Sequence, residues 1–324
     1  MTTPAVPVTN PNVTRSRLVL EIASEIAGGD AADAVPDYIL PKVVLRHSRG
    51  GKPVTLSASS SAEGIFAVAA REVDLAMINP ASVLSVALHG KGIFTSPMPM
   101  RAVAVIPSWD AFIFAVRPET GLTRLEDIAA RKPKLRILMR ATPDHCLHHM
   151  FDDVAAAAGF SREDIASWGG CVQKRGSVPW PHTETFKALI RGDVDAIFDE
   201  AASSWVPQAL DAGMRILPLA EATVQSLEAI GYRRAVLPRS AYPKLPADVL
   251  SLDFSGWTVF VHQEADAALV TAICAALDAR KMRIPWEEPG DLPVERMARE
   301  ALDTPQTVPL HPAAEQFWKS RGYL

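Results

Sequence analysis

Cysteine is scarce in this chain, which has only Cys146, Cys171 and Cys274. An odd count without metal-ligand spacing argues against a disulfide framework or a zinc ribbon. Positive charge is not in excess either. Thirty-three Lys and Arg stand against 37 Asp and Glu, a formal net charge of −4. Proteins that neutralise nucleic-acid phosphates show a basic surface, and none is advertised here, so no nucleic-acid partner is expected. No apolar run approaches the ~20 residues a membrane-spanning helix needs, so no membrane insertion is expected. The opening stretch MTTPAVPVTNPNVTRSR has neither a basic n-region nor an apolar h-region. Residues 1–16 read as a disordered tail, and the chain as cytoplasmic, or periplasmic if a leader has been removed.

What is present is a chain of 324 residues, 48% hydrophobic and 22% charged. At roughly 150 residues per domain, that length suggests two domains with a sizeable core. From Val54 onward, short apolar runs alternate with helical spacing. Val54–Leu56, Val73–Ile78, Ala102–Ile106 and Ala111–Val116 read as strands. Ser59–Ser61 offer N-cap hydroxyls to a helix running through Arg71, and Asn79 precedes a second helix with Pro80 at its first position. Past Arg117, Thr123 and Glu126 have capping-box spacing. Strands follow at Leu135–Met139, Val194–Phe198 and Met214–Leu217, then at Ser255–His262 after a return crossing. This alternation predicts parallel α/β sheets.

Four stretches, in order, carry a resemblance. They are EGIFAVAAREVDLAMINPASVLSVALHGKGIF, VRPETGLTRLEDI, FKALIRGDVDAIFDEA and TVPLHPAAEQFWKSRGYL. The first includes the spacing Ala87, Gly90, Gly92 and Phe94, and the last a Leu-His-Pro corner at 310–312. Together they resemble the TAXI family of TRAP-transporter solute receptors, in the NMT1/THI5-like group. The resemblance implies a two-lobed α/β fold of the type 2 periplasmic-binding-protein kind, with a ligand cleft between the lobes. Lobe 1 is expected at 17–116 plus 236–324 and lobe 2 at 117–235. It also implies a small organic acid (a carboxylate) as ligand, held by lobe closure without a cofactor, and TRAP membrane subunits as partners if the protein is exported.

Such folds place ligands at the C-terminal ends of parallel strands. Ser57, Ser59, Ser60 and Ser61 stand at one such end, with Asn79 and Ser82 at the next, and their hydroxyl, amide and N–H groups suit a carboxylate. Arg140 and Thr142 follow a second-lobe strand where the family has its anion loop, and a guanidinium there would grip a carboxylate. His145, His148 and His149 have i, i+3, i+4 spacing, which would share one helix face. That pattern is either a polar helix face or a site for His145 at the cleft mouth; no bound metal is expected. Trp180, Glu200 and Trp205 complete the ligand-contact set, the tryptophans as an aromatic wall. The alternative is a cytoplasmic enzyme on the same scaffold. It would be a decarboxylase or hydrolase of an aromatic or small carboxylic acid using His145 and His182.

Overall fold

The computed structural model describes residues 17–23, 25, 42–45, 53–142 and 145–324. The expected tail at 1–16 lies outside them. Strands and helices are numbered in chain order. Two units are present. Unit 1 comprises Met1–Gly90, Ser96–Trp109 and Ser255–Leu324; unit 2 comprises Lys91–Thr95 and Asp110–Phe254.

Unit 1 is built on a five-stranded sheet. Its strands are β1 (Lys42–Leu45), β2 (Val54–Ser59), β3 (Leu75–Ile78), β4 (Met100–Ile106) and β12 (Trp257–His262), ordered β1-β2-β3-β12-β4. Strand β2 crosses through helix α2 (Glu63–Ala69) to its parallel neighbour β3. The late strand β12 then enters between β3 and β4, antiparallel to both. The sheet is therefore mixed rather than parallel as the alternation predicts.

One face of this sheet carries Leu56, Ala58, Leu75, Met77, Val259 and Val261. Against it pack Leu18 and Ile22 of α1 (residues 17–23), Val270, Ile273 and Leu277 of α10 (Ala267–Arg280), and Trp318 of α11 (Pro312–Ser320). Burying each such aliphatic side chain contributes about 1.5–3 kcal/mol. The Leu-His-Pro corner is structural. Leu310 bridges to Ala102, and His311 caps α11 by accepting the N–H of Ala313 at 3.2 Å.

Unit 2 holds a second mixed sheet of β5 (Ile113–Val116), β6 (Arg136–Met139), β7 (Cys171–Lys174), β8 (Ala196–Asp199) and β9 (Arg215–Ile216), ordered β7-β6-β8-β5-β9. Strand β6 runs parallel to β7 and β8, while β5 is antiparallel to β8 and β9. Because β5 pairs in this sheet, the long stretch of unit 2 begins at Asp110, not at Arg117 as expected. The antiparallel ribbon of β10 (Arg234–Leu237) and β11 (Val249–Leu252) also belongs to unit 2, so the return crossing falls after Phe254 rather than near residue 235. Phe112, Phe114, Phe151, Phe160, Phe198 and Phe254 form a contiguous aromatic core, with Phe112 and Phe198 centroids 5.0 Å apart.

The predicted capping box at Thr123 and Glu126 does not form. Thr123 donates its N–H and hydroxyl to Asp127, both at 2.8 Å. Glu126 instead accepts from the Ala220 N–H at 2.9 Å, tying together segments 94 residues apart. A capping box is found at Ser161 and Asp164, at the start of α6 (Arg162–Ser167).

Candidate ligand-binding site

In unit 1 the ends of parallel strands β2 and β3 gather buried neutral polar groups. Ser59 closes β2, and its hydroxyl accepts the Ser61 N–H at 2.7 Å; the Ser61 hydroxyl accepts the Glu63 N–H at 3.1 Å. These bonds organise the loop entering α2, although Ala62, not a serine, occupies the N-cap position. Beyond β3, the Asn79-Pro80 peptide is cis, and α3 (Ser82–Leu88) begins two residues later than Pro80 suggests. The Asn79 amide donates to the Gly256 carbonyl at 3.5 Å.

Ser59, Ser60, Ser61, Asn79 and Ser82 are all buried. Ser57 is not among them: it lies mid-strand, paired with Lys42 and Ala76. Ser59 is in register with Ile78, and Ile78 with Thr258 of β12, so these three side chains share one sheet face. The hydroxyls of Ser82 and Thr258 are buried without a hydrogen-bond partner among the described residues. Thr258 was not legible as a site residue, because its strand reads as uniformly core.

Unit 2 presents a contrasting set at the ends of β6 and β8. Arg140, one residue past β6, was expected as a guanidinium free to grip a carboxylate. It is instead 8% exposed and already paired. Its Nε lies 3.1 and 3.4 Å from the two Asp199 oxygens, and Nη2 also bonds Asp199. On the other side, Nη1 lies 3.1 Å from Glu200 Oε1 and 3.2 Å from His145 Nε2. Burial disfavours the charge on Arg140, but the Asp199 and Glu200 carboxylates outweigh it and hold the guanidinium firmly protonated.

Asp199 serves Arg140 and also accepts the Glu200 N–H at 2.8 Å. The cap on α8 (Ala202–Asp211) comes from Asp110, which accepts the N–H groups of Ala201 and Ala202 at 2.6 and 2.9 Å. Asp110 escaped the sequence reading; its one signal there was an acid in the turn between two apolar strands. Burial, then the nearby Glu200 charge, push its carboxyl well above the usual range despite three backbone N–H donors. Burial likewise raises Asp199, against the pull of Arg140. Tyr242 is pushed up to about 12 by burial and by Asp110.

The histidines do not share a helix face as their spacing suggests. His145 is the N-cap of α5 (Cys146–Ala157), its Nδ1 accepting the Leu147 N–H at 3.2 Å. Its Nε2 lies 3.2 Å from Arg140 Nη1 and 4.0 Å from Glu200 Oε1. His148 donates from Nε2 to the Arg140 carbonyl at 2.8 Å and is kept neutral chiefly by burial. Among the described residues, no His, Cys, Asp or Glu group is arranged to hold a metal.

Trp205 is fully buried and bonds the Glu200 carbonyl at 2.7 Å, so it is core rather than a ligand wall. Trp180 is half-buried and stacks on exposed His182 at 5.8 Å. Thr142, partly exposed, offers its carbonyl to the His145 N–H at 3.4 Å.

The NMT1-like family model matches residues 47–322, most of the chain. The chain belongs to the NMT1-like family. No curated protein matches it. Solved structures similar to this family member include a periplasmic transporter at 15% identity, covering 77% of this chain and 73% of that one, with a TM-score of 0.36. Another is the substrate-binding protein of an amino acid ABC transporter, at 14% identity, 82% and 81% coverage and a TM-score of 0.33. A third is the putative periplasmic sulfonate-binding protein SsuA of Methylobacillus flagellatus KT, at 14% identity, 79% and 68% coverage and a TM-score of 0.36. The architecture is α/β of the periplasmic-binding-protein-like, two-lobed class.

Proposed function

We propose that this protein is a TAXI-type solute receptor for a small organic acid, bound without covalent chemistry and delivered to TRAP membrane subunits. The observation that carries this reading is the buried group of Ser59, Ser60, Ser61, Asn79 and Ser82 at adjacent parallel strand ends. Neutral hydroxyl and amide donors at such a position suit a carboxylate and leave it readily released. The Ser82 hydroxyl, buried without a partner among the described residues, is a donor whose natural use is a ligand oxygen. The four sequence stretches quoted above supply the transporter type.

The test is thermal unfolding of the purified protein with acetate, succinate and benzoate, followed by mass spectrometry of each incubated acid. A rise in Tm with one of them, and its recovery unchanged, is the expected outcome. Ser82→Ala should weaken that acid about tenfold while leaving the protein without ligand as stable as before or more so. A Tm unmoved by all three acids sinks the organic-acid reading, and product formation would establish the enzyme instead.

A further inference from the structure

We infer that Thr307 is a positioning residue for the ligand: its hydroxyl fixes the peptide that carries Ser82 and so sets the direction of the Ser82 hydroxyl. This rests on the organic-acid reading above.

Ser82 follows a turn that is tied to the C-terminal part of unit 1. The Asn79 side-chain amide donates to the Gly256 carbonyl at 3.5 Å. The Ala81 N–H donates to the Ser255 carbonyl at 3.3 Å. The Ala81 carbonyl, in the same peptide unit as the Ser82 nitrogen, accepts two bonds. One comes from the Leu84 N–H at 3.0 Å, the other from the Thr307 hydroxyl at 3.0 Å. A carbonyl oxygen has two lone pairs, so both are engaged. The first bond is local to the start of α3. The second comes from 226 residues away and is not needed to form a helix.

Thr307 is itself seated on a braced segment. Thr304 is fully buried, and its hydroxyl donates to the Arg299 carbonyl at 2.9 Å. The Gln306 amide donates to the same carbonyl at 3.3 Å and to that of Thr304 at 3.1 Å. Beyond Thr307, the Pro309 carbonyl accepts the Ala102 N–H at 3.0 Å, and the His311 N–H donates to the Ala102 carbonyl at 2.8 Å. Pro305 also reaches the turn's anchor. A Cβ on Gly256, whose φ is +80°, would lie 2.8 Å from Pro305 Cδ. The segment thus braces the turn at two points, Pro305 on the Gly256 that Asn79 bonds and Thr307 on Ala81.

The Ser82 hydroxyl is buried and has no hydrogen-bond partner among the described residues. Without a bond of its own, it is aimed by the backbone beneath it and by its rotamer. Hydrogen bonds weaken steeply as donor and acceptor fall out of line, so a tilted Ala81–Ser82 peptide costs the ligand this donor.

Full-length wild type, Thr307→Val, Thr307→Ala and Thr307→Ser are compared, alone and combined with Ser82→Ala. Tm is followed as acetate, succinate or benzoate is raised to about 100 mM, with chloride balancing the ionic strength. Val and Ala both lack the hydroxyl, so either suffices if the other fails to fold; Ser retains it. Loss of the hydroxyl should weaken binding of the stabilising acid about fivefold, and Thr307→Ser should stay within about twofold of wild type. In the Ser82→Ala background the same loss should cost less than about twofold, because the group being positioned is gone. An affinity unchanged in Thr307→Val and Thr307→Ala, whatever their Tm without ligand, refutes the inference and leaves the receptor reading standing. An equal loss with and without Ser82 refutes it too. If the three acids leave the wild type unmoved, the receptor reading falls and this inference with it.

Discussion

Asp110 reaches across 91 residues of sequence to accept the backbone N–H of Ala201 at 2.6 Å. Ala201 has φ of +63°, a left-handed conformation that costs a non-glycine residue about 1–2 kcal/mol. The contact holds the turn that sets Glu200 and starts α8. Asp110→Asn turns one acceptor into a donor facing an N–H and should destabilise the protein by about 1–3 kcal/mol. Ala201→Gly relieves the backbone and should be neutral to about 1 kcal/mol stabilising. Urea unfolding of both variants checks the pair, and a stabilised Asp110→Asn would contradict it.

Stability should fall with rising pH in a way that Asp110 dictates. Its carboxyl is raised in the fold by burial and by Glu200, and that of Asp199 by burial. A group with a raised folded value binds its proton more readily when folded. Its stabilising contribution is complete below the ordinary value of 3.8 and is lost as pH climbs through the folded one. Asp195 works in the opposite sense: burial opposes its ionisation, but Arg136 more than compensates and lowers it, so its contribution is lost as pH falls. The difference between wild type and Asp110→Asn isolates the first effect. Wild-type stability should drop more steeply from pH 4 upward, by at most about 1.4 kcal/mol per pH unit for one whole proton. Parallel curves for the two proteins would rule it out.

Thr258 is the second residue of β12, a strand paired on both sides, and its hydroxyl is buried and unpartnered among the described residues. Thr258→Val keeps the shape and removes the stranded polar group. It should stabilise the protein by about 1 kcal/mol, read from the urea midpoint at constant slope. A loss of that size would mean that the hydroxyl is bonded in solution.

Several helix boundaries rest on local physics. Thr183 caps α7 (Glu184–Arg191), which ends at Gly192 with φ of +82°, a start and stop written in adjacent residues. His311 and Pro312 likewise set the beginning of α11 within three residues. Arg140 was read as a functional cation from its place after a strand, but its partner Asp199 lies 59 residues away. Nothing in the intervening chain announces that β6 and β8 are neighbours.

The sequence by itself determined the alternation of strands and helices, the caps that bound several of them, and the polar residues at the strand ends. Those follow from hydrophobic spacing and hydrogen bonds between near neighbours. Tertiary structure alone decided that β12 and β5 run against their neighbours, that Asp110 caps a distant helix, and that Arg140 comes with carboxylates already bound. Each of these depends on which strands lie side by side. Strand order is set by the burial of whole sheet faces, and residue spacing does not record it.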